Sequence, residues 1–209
     1  MIILALDCSS PVVSVAVLGK GDGPARILFH ENTPHARADS APLFRSITSA
    51  IVSCGCPDAL CVGLGPGSYN GIRASIASAR AMATALGIPL YGVPSPLGTP
   101  GPNSGFLVVG DARGGHSWIA QVSGGILSEE PALVPQDHLA GILASRADLP
   151  CLSASPMEGI VSEVTTPDAA RLASAALGAG SLYRCDGTPE PLYLKPPHIT
   201  KPRTTQIHA

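Results

Sequence analysis

Charged residues are scarce in this sequence, and their scarcity excludes several classes of protein. Only 13% of the 209 residues are Asp, Glu, Lys or Arg, and the formal net charge is −2. Such a chain has no overall positive field that would attract nucleic acid. No apolar run reaches the roughly 18 residues that a membrane span needs, although hydrophobic residues make up 45% of the chain. We therefore expect much of the surface to be buried, in a core or against a partner.

Signals for export and for metal binding are also weak. The opening residues, MIILALDCSS, are apolar but lack a basic start, and Asp7 interrupts them, so they make a poor signal peptide. We expect a cytoplasmic protein whose six cysteines are reduced thiols. Cys54, Cys56 and Cys61 do not have C-x2-C spacing and no fourth ligand is close in sequence, which predicts no metal site.

Hydrophobic periodicity predicts a mixed α/β protein. Strands are predicted at residues 2–6, 12–18, 26–31, 59–63, 88–93, 106–109 and 117–122. Helices are predicted at residues 40–54, 68–86 and 137–147, with a further helix ending at 178. Asp39 or Ser40 caps the first helix, whereas Thr166 caps the last one and Pro167 takes its first position. The Pro- and Gly-rich segment at 94–105 is the natural boundary between two lobes.

A glycine-rich loop, GLGPGSYNGIR at residues 63–73, precedes the second helix. No lysine follows its glycines, so it is not a Walker loop, and its glycine spacing is not that of a dinucleotide fingerprint. Ser68 lacks the flanking glycines of a nucleophile elbow. Two interpretations remain. Free amides at 68–70 could bind an anion, or the glycines could let strand and helix pack closely, which we favour.

The helix after this loop carries two stripes of residues. One stripe is predicted to face the core, namely Ile72, Ile76, Ala79, Ala83 and Leu86. The second consists of small residues, namely Ala74, Ser78, Ala81 and Ala85. Small side chains allow another helix to approach closely, which favours an interface, but alanine is also simply the best helix former. The residues alone leave these two explanations open.

Two aspartates each follow a strand at a turn. Asp7 lies after the first strand, and Asp111 lies in the turn between the strands at 106–109 and 117–122. Actin-like ATPases place residues that handle metal and phosphate at such positions. Asp is also common in turns for purely conformational reasons. No Ser, His and Asp can be assembled into a triad from the sequence.

Four segments together resemble the TsaB family, also called YeaZ. They are ILALDCSSPVVSVAV, VGLGPGSYNGIRASIASARAMATALGIPLYGV, GDARGGHSWIAQV and PEPLYLKPP, in the family's order across nearly the whole chain. The resemblance implies an α/β, actin/Hsp70/sugar-kinase-like (ribonuclease H-like) fold with two lobes and mixed sheets. It places an N-terminal lobe at 1–97, a C-terminal lobe at 98–195 and a loose tail at 196–209.

The resemblance also implies a function. TsaB-like proteins are accessory subunits in making threonylcarbamoyladenosine on tRNA, and they bind the catalytic relative TsaD, which the ATPase TsaE joins. The H-x-x-x-H metal motif of TsaD is absent from this sequence. We therefore expect no catalytic residue, no metal and no tightly bound cofactor, with ATP entering only at the level of the complex. The chain alone is expected to form a homodimer, and tRNA to be contacted only indirectly.

The family pattern assigns residues to two roles. The expected partner surface consists of Leu43, Phe44, Ile47, Arg73, Ala74, Ser78, Ala81, Met82 and Ala85. A vestigial nucleotide site would consist of Asp7, Ser9, Gly67, Ser68 and Asp111. Two departures bear on partner choice: Arg37-Ala38-Asp39-Ser40 replaces the usual His-Ser/Thr start of the first helix, and Tyr69-Asn70 replaces the usual Phe-Thr.

Two other classes of function remain as alternatives. The first is an independent ATP-dependent small-molecule kinase or a peptidase of the same fold. The second is a self-associating structural module that ignores TsaD. Turnover of ATP or peptide by the pure chain would favour the enzyme, whereas dimerisation without TsaD binding would favour the module.

Overall fold

The computed structural model describes residues 1–35 and 39–195. Its first sheet has five strands in the order β3-β2-β1-β4-β5. The strands are β1 (Ile2–Asp7), β2 (Val12–Gly19), β3 (Arg26–Pro34), β4 (Ala59–Gly63) and β5 (Leu90–Val93). The first three form the expected antiparallel meander, and β4 and β5 run parallel to β1.

Two helices cover one face of this sheet. They are α1 (Ala41–Cys54) and α2 (Tyr69–Leu86), close to the predicted bounds. At the start of α1, Asp39 Oδ1 accepts a hydrogen bond from the amide of Ala41 at 3.0 Å, whereas Ser40 makes no side-chain cap. Ser68 caps α2, and Gly87 ends it in the left-handed conformation that glycine adopts easily.

The core between these helices and the sheet is built from regularly spaced apolar side chains. On α2 the buried residues are Ile72, Ser75, Ile76, Ala79 and Ala83. Leu86 was predicted to share this face, but it is substantially exposed because it lies in the last turn, beyond the edge of the sheet. Ser75 is buried instead, and it satisfies its hydroxyl by donating to the carbonyl of Ile72 at 3.0 Å.

A second sheet begins after the Pro- and Gly-rich segment. Its strands are β6 (Phe106–Asp111), β7 (His116–Ser123), β8 (Ile126–Leu127), β9 (Ala132–Pro135), β10 (Cys151–Ser153) and β11 (Glu163–Val164). Their order is β11-β10-β6-β7-β8, with β9 also paired to β7. The helix α3 (Gln136–Ala144) contributes Leu139 to a separate small core on the outer face of this sheet, and it ends three residues before the predicted bound.

The last helix, α4 (Ala169–Gly178), returns to the first sheet. Thr166 was predicted to cap it, but the cap is Asp168, whose Oδ1 accepts from the amide of Ala170 at 2.8 Å. The helix packs on β1, β2 and β4 and joins a core cluster that includes residues of both sheets. The lobe boundary near residue 97 stays a prediction, and the expected loose tail at 196–209 lies outside the described residues. Among the residues described, no helix is long and apolar enough to cross a membrane.

Candidate functional site

The carboxylate of Asp7 is fully buried at the end of β1 and is held by three hydrogen bonds. Its Oδ1 accepts from the amide of Ser9 at 2.8 Å and from the hydroxyl of Ser9 at 2.6 Å. Its Oδ2 accepts from the hydroxyl of Ser95 at 2.6 Å. Burial raises the pKa of this carboxyl above its ordinary value, and the bonds from Ser9 and Ser95 offset only part of that rise. The group is therefore engaged within the protein rather than presented to a ligand.

The glycine loop packs directly against the turn that follows Asp7. A Cβ added at Gly63 would collide with Oδ2 of Asp7, and one added at Gly71 would collide with the carbonyl oxygen of Cys8. A Cβ at Gly67 would meet the carbonyl oxygen of Ser9 in the same way. Gly67 and Gly71 therefore allow a close approach of backbone to backbone, and Gly63 leaves room for the side chain of Asp7.

The loop amides are also partly used. The anion-binding interpretation needs a free amide at Ser68, but that amide donates to the carbonyl of Ser9 at 2.8 Å. The amide of Gly65 donates to Oγ of Ser95 at 2.9 Å, and that of Gly71 to Oγ of Ser68 at 3.4 Å. An anion site made of three free amides is therefore not formed here, and the close-packing interpretation fits the contacts better.

The two sheets leave little space between them near Asp7. The cavity there has a volume of about 20 Å³ and is lined by residues of both sheets, including Ser9, Ser95, Thr99, Val108, Trp118 and Thr165. This is room for about one water molecule, whereas small-molecule sites usually occupy about 300 Å³ or more. Oγ1 of Thr99 is buried without a hydrogen-bond partner among the described residues. The cleft is too small for a nucleotide in this conformation.

Asp111 belongs to a different environment from the other residues of the expected nucleotide site. It is exposed at the end of β6, where Oδ1 accepts from the amide of Arg113 at 2.7 Å and Oδ2 lies 3.4 Å from Nη1 of the same arginine. It shares no hydrogen bond with Asp7 or Ser9. The structure thus brings Asp7, Ser9, Gly67 and Ser68 together and leaves Asp111 in a solvent-facing turn.

The chain after α4 contacts the glycine loop, the start of α2 and the turn that holds Arg113, and we call residues 185–195 the strap. The amide of Leu192 donates to the carbonyl of Leu64 at 2.9 Å. The ring of Tyr193 stacks on that of Tyr69, with centroids 5.1 Å apart, and Nζ of Lys195 donates to the carbonyl of Arg113 at 2.8 Å. Tyr69, one of the two departures from the family loop, therefore has a partner within the chain that the sequence did not reveal.

The expected partner surface divides into exposed and buried members. The exposed ones are Phe44, Arg73, Ala81 and Ala85, and the half-buried ones are Ala74, Ser78 and Met82. Leu43 and Ile47 are buried, at 1% and 6% exposure, and cannot meet a partner without unfolding α1. They share the helical stripe of Ala50, which packs on the sheet, so their assignment to the surface is wrong. Val52, 81% exposed, lies on the same side of α1 as Phe44 and was missed.

The described residues contain no cluster of His, Cys, Asp or Glu that could hold a metal ion. Cys61 is fully buried, whereas Cys56 is exposed in the loop after α1. Burial raises the pKa of the Cys61 thiol far above its ordinary value, which keeps it protonated and unsuited to metal binding.

Sequence comparison relates one segment to a tRNA-modifying family. Residues 36–99 match the family model of TsaD, described as tRNA N6-adenosine threonylcarbamoyltransferase. Uncharacterized proteins of Mycobacterium tuberculosis and Mycobacterium bovis are 36% identical over 136 residues. That stretch is 63% of this chain and 64% of each relative, so the match spans less than two thirds of the length of these relatives.

Comparison with solved structures covers nearly the whole chain. YeaZ from Pseudomonas aeruginosa superposes with a TM-score of 0.71 at 22% identity, covering 92% of this chain and 99% of that one. A second crystal structure, of an uncharacterized protein with similarity to peptidase YeaZ from the same organism, gives the same score and covers 93% of this chain. These matches confirm the two-lobed α/β fold with mixed sheets that was expected.

Proposed function

We propose, from the confirmed resemblance to the TsaB/YeaZ family, that this chain is a non-catalytic accessory subunit of threonylcarbamoyl transfer to adenosine in tRNA. In this proposal it binds and activates a TsaD-like catalytic subunit in the cytoplasm, and a TsaE-like ATPase joins the pair. ATP enters only with the complex, and tRNA is held mainly by the catalytic subunit. One observation carries the proposal: the YeaZ fold extends over 93% of the chain, and the TsaD-like segment at 36–99 lies within it.

The environment of Asp7 supports a non-catalytic role. The carboxylate of Asp7 accepts hydrogen bonds from Ser9 and Ser95, and the cavity beside it has a volume of about 20 Å³. A catalytic carboxylate needs access to substrate within hydrogen-bond reach. Asp7 in this conformation has no such access, so the geometry favours a binding protein over a kinase or a peptidase.

The outer face of α1 and α2 supports a role in binding. Phe44 and Val52 expose apolar surface on α1, at 53% and 81%, and Ala81 and Ala85 expose small side chains on α2. Small side chains allow a partner helix to approach, and exposed apolar groups gain from being covered. We propose this face as the surface for the TsaD-like subunit, and as the surface through which the isolated chain forms a homodimer.

The first experiment is light scattering coupled to size-exclusion chromatography. The chain is run alone and with the TsaD-like protein of the same organism, with and without ATP and the TsaE-like protein. We expect a one-to-one complex that displaces the homodimer, and we expect modification of tRNA only when this chain is present. If no complex forms under any of these conditions, the accessory role is wrong.

A matched pair of variants tests the surface. Ala81→Arg introduces a long charged side chain on α2, whereas Ala140→Arg makes the same change at an exposed helical position of α3 on the second lobe. We expect Ala81→Arg to weaken the complex by about 100-fold, as for a substitution at the centre of an interface, and Ala140→Arg to leave it unchanged. Equal affinity of both variants would mean that the partner binds elsewhere.

A further inference from the structure

The face formed by α1 and α2 carries charge of one sign only. The two helices contain three arginines, Arg45, Arg73 and Arg80, and neither helix contains an Asp or a Glu. All three arginines are exposed. The rest of the chain has the opposite balance: the whole chain carries a formal net charge of −2, so the part without these three arginines carries −5.

No carboxylate of the described chain neutralises these arginines. The ion pairs among the described residues involve Arg113 and Arg146 but none of the three. The segments outside the description, 36–38 and 196–209, contain no Asp or Glu. Arg73 donates to the hydroxyl of Tyr69 at 2.8 Å and lies over its ring, contacts that leave its charge in place.

The nearest acidic residues along the chain are already engaged. Asp39, just before α1, accepts the amide of Ala41. Asp58, just after α1, accepts the amide of Ile2 at 2.7 Å and lies 3.9 Å from the terminal amine of Met1. Neither aspartate forms an ion pair with Arg45 or Arg80 among the described residues, which leaves both arginines available to carboxylates of a partner.

We infer that the α1–α2 face binds a different protein, one that presents carboxylates opposite Arg45 and Arg80, more tightly than it binds a second copy of itself. This inference rests on the proposed function and adds the chemistry of the partner. A two-fold dimer would bring two identical faces together, so that six arginines would meet without a carboxylate from either helix pair. Like charges across an interface are unfavourable and suppress wrong pairings.

A protein fits this face better than RNA does. Phe44 and Val52 are exposed beside the arginines, and apolar side chains are stabilised by a partner that covers them. Strong binding to a phosphate backbone takes more contacts than three arginines supply, and the two helices contain no lysine. Acidic side chains around an apolar centre would match both features of the face.

Salt distinguishes the complex with the TsaD-like subunit from the homodimer. Added ions screen the attraction expected in the complex, which weakens it, and they screen the repulsion expected in the homodimer, which strengthens it. We would measure binding of the full chain to the TsaD-like subunit by calorimetry, and self-association by sedimentation, at about 50 and about 500 mM NaCl. We expect the dissociation constant of the complex to rise about tenfold with salt. The dissociation constant of the homodimer is expected to fall over the same range.

Charge reversal provides the second readout. Arg45→Glu with Arg80→Glu is compared with Arg26→Glu and Arg171→Glu, which reverse two exposed arginines on β3 and α4. The net charge change is the same in both double variants, and circular dichroism checks that each is folded. We expect the first to weaken the complex at low salt by about tenfold or more, and the second to change it by less than about threefold.

The outcomes distinguish the inference from the function on which it rests. A complex whose affinity depends on neither salt nor Arg45 and Arg80 would overturn the charge inference and leave the accessory role intact. No complex with the wild-type chain at either salt concentration would overturn the accessory role, and the inference with it. Binding of tRNA by the chain alone at low salt, lost in the Arg45→Glu, Arg80→Glu variant, would assign the face to RNA and overturn the inference.

Discussion

Both sheets contain an antiparallel strand pair whose first strand ends in an aspartate, yet the two aspartates have opposite environments. Asp7 is 0% exposed and accepts three hydrogen bonds from Ser9 and Ser95. The side chain of Asp111 is 46% exposed and contacts only Arg113 within its own turn. The difference lies in what packs on each turn, because the glycine loop and the start of α2 cover the first one.

This comparison shows that an aspartate at the end of a strand can be buried in the core or exposed on the surface. Gly67 and Gly71 admit the backbone of the first turn within contact distance. In the second turn, by contrast, Gly115 has open space around it. A carboxylate buried under the glycine loop stabilises the fold, because each hydrogen-bond donor around it has this carboxylate as its acceptor.

The largest expected effect comes from removing the buried carboxylate. Asp7→Ala leaves the amide and hydroxyl of Ser9 and the hydroxyl of Ser95 without their acceptor. Each buried donor left unsatisfied costs about 1–3 kcal/mol, and the costs are not fully additive. We expect the free energy of unfolding in urea to fall by about 4 kcal/mol, and that of Asp111→Ala to change by less than about 0.5 kcal/mol.

Equal losses in the two variants would contradict the comparison. The enzyme alternative makes a different prediction, namely that Asp7→Ala abolishes an activity while the protein stays folded and stable. Measuring stability and activity on the same sample therefore separates a structural Asp7 from a catalytic one.

A pair of glycine substitutions tests how closely the glycine loop packs on the first turn. Gly71→Ala drives a methyl group into the carbonyl of Cys8, whereas Gly115→Ala enters open space and pays only for a left-handed φ of 70°. We expect thermal and urea denaturation to show a loss of about 3 kcal/mol for Gly71→Ala, as for severe overpacking. The loss for Gly115→Ala is expected to be about 1 kcal/mol. A loss at Gly71 no larger than that at Gly115 would mean that the loop can move away from the turn.

The strap contacts the glycine loop and the second turn, and a substitution there should have a smaller effect. Tyr193→Ala removes the ring that stacks on Tyr69 at 5.1 Å. Aromatic pairs of this kind contribute about 1 kcal/mol beyond the area they bury, and we expect a loss of that size. Tyr193→Phe keeps the ring and serves as the control. In hydrogen exchange, the amides of the glycine loop should become less protected in Tyr193→Ala and stay unchanged in Tyr193→Phe.

The sequence predicted elements well where the pattern was local. The strands and the two helices on the first sheet follow from apolar spacing, and α2 begins and ends within one residue of the predicted bounds. The preference for a polar residue at the start of a helix did not identify which residue caps α4, because both Thr166 and Asp168 satisfy it. The cap is Asp168 and not Thr166. Asp168 also lies 2.8 Å from His30 of β3, a contact set by the return of α4 to the first sheet.

The candidate site was less predictable because residues that hydrogen-bond to each other there are distant in sequence. Ser95, which bonds Asp7, lies 88 residues away in a segment read only as a lobe boundary. Leu43 and Ile47 were assigned to a surface by family resemblance, although their spacing with Ala50 indicated a buried stripe. Periodicity was the better guide there, since burial follows from which helical face meets the sheet.

The buried carboxylate of Asp7 also makes the stability of the protein depend on pH. Burial raises the pKa of Asp7 above 3.8, so the folded state binds this proton more tightly than the unfolded state does. The contribution to stability is therefore full below pH 3.8 and is lost as the pH rises through the folded pKa. We expect urea denaturation between about pH 4 and about pH 8 to show this fall in the wild type.

Asp7→Asn cannot ionise, and its stability should lack that fall. The upper limit of the pH range matters because burial also raises the pKa of the Cys8 and Cys61 thiols from an ordinary value of 9.0. These thiols stay protonated in both states below about pH 8, so they do not contribute to the slope. If Asp7→Asn declines as steeply as the wild type, the three hydrogen bonds outweigh burial at Asp7, and its carboxylate is ionised in the folded protein as readily as in water.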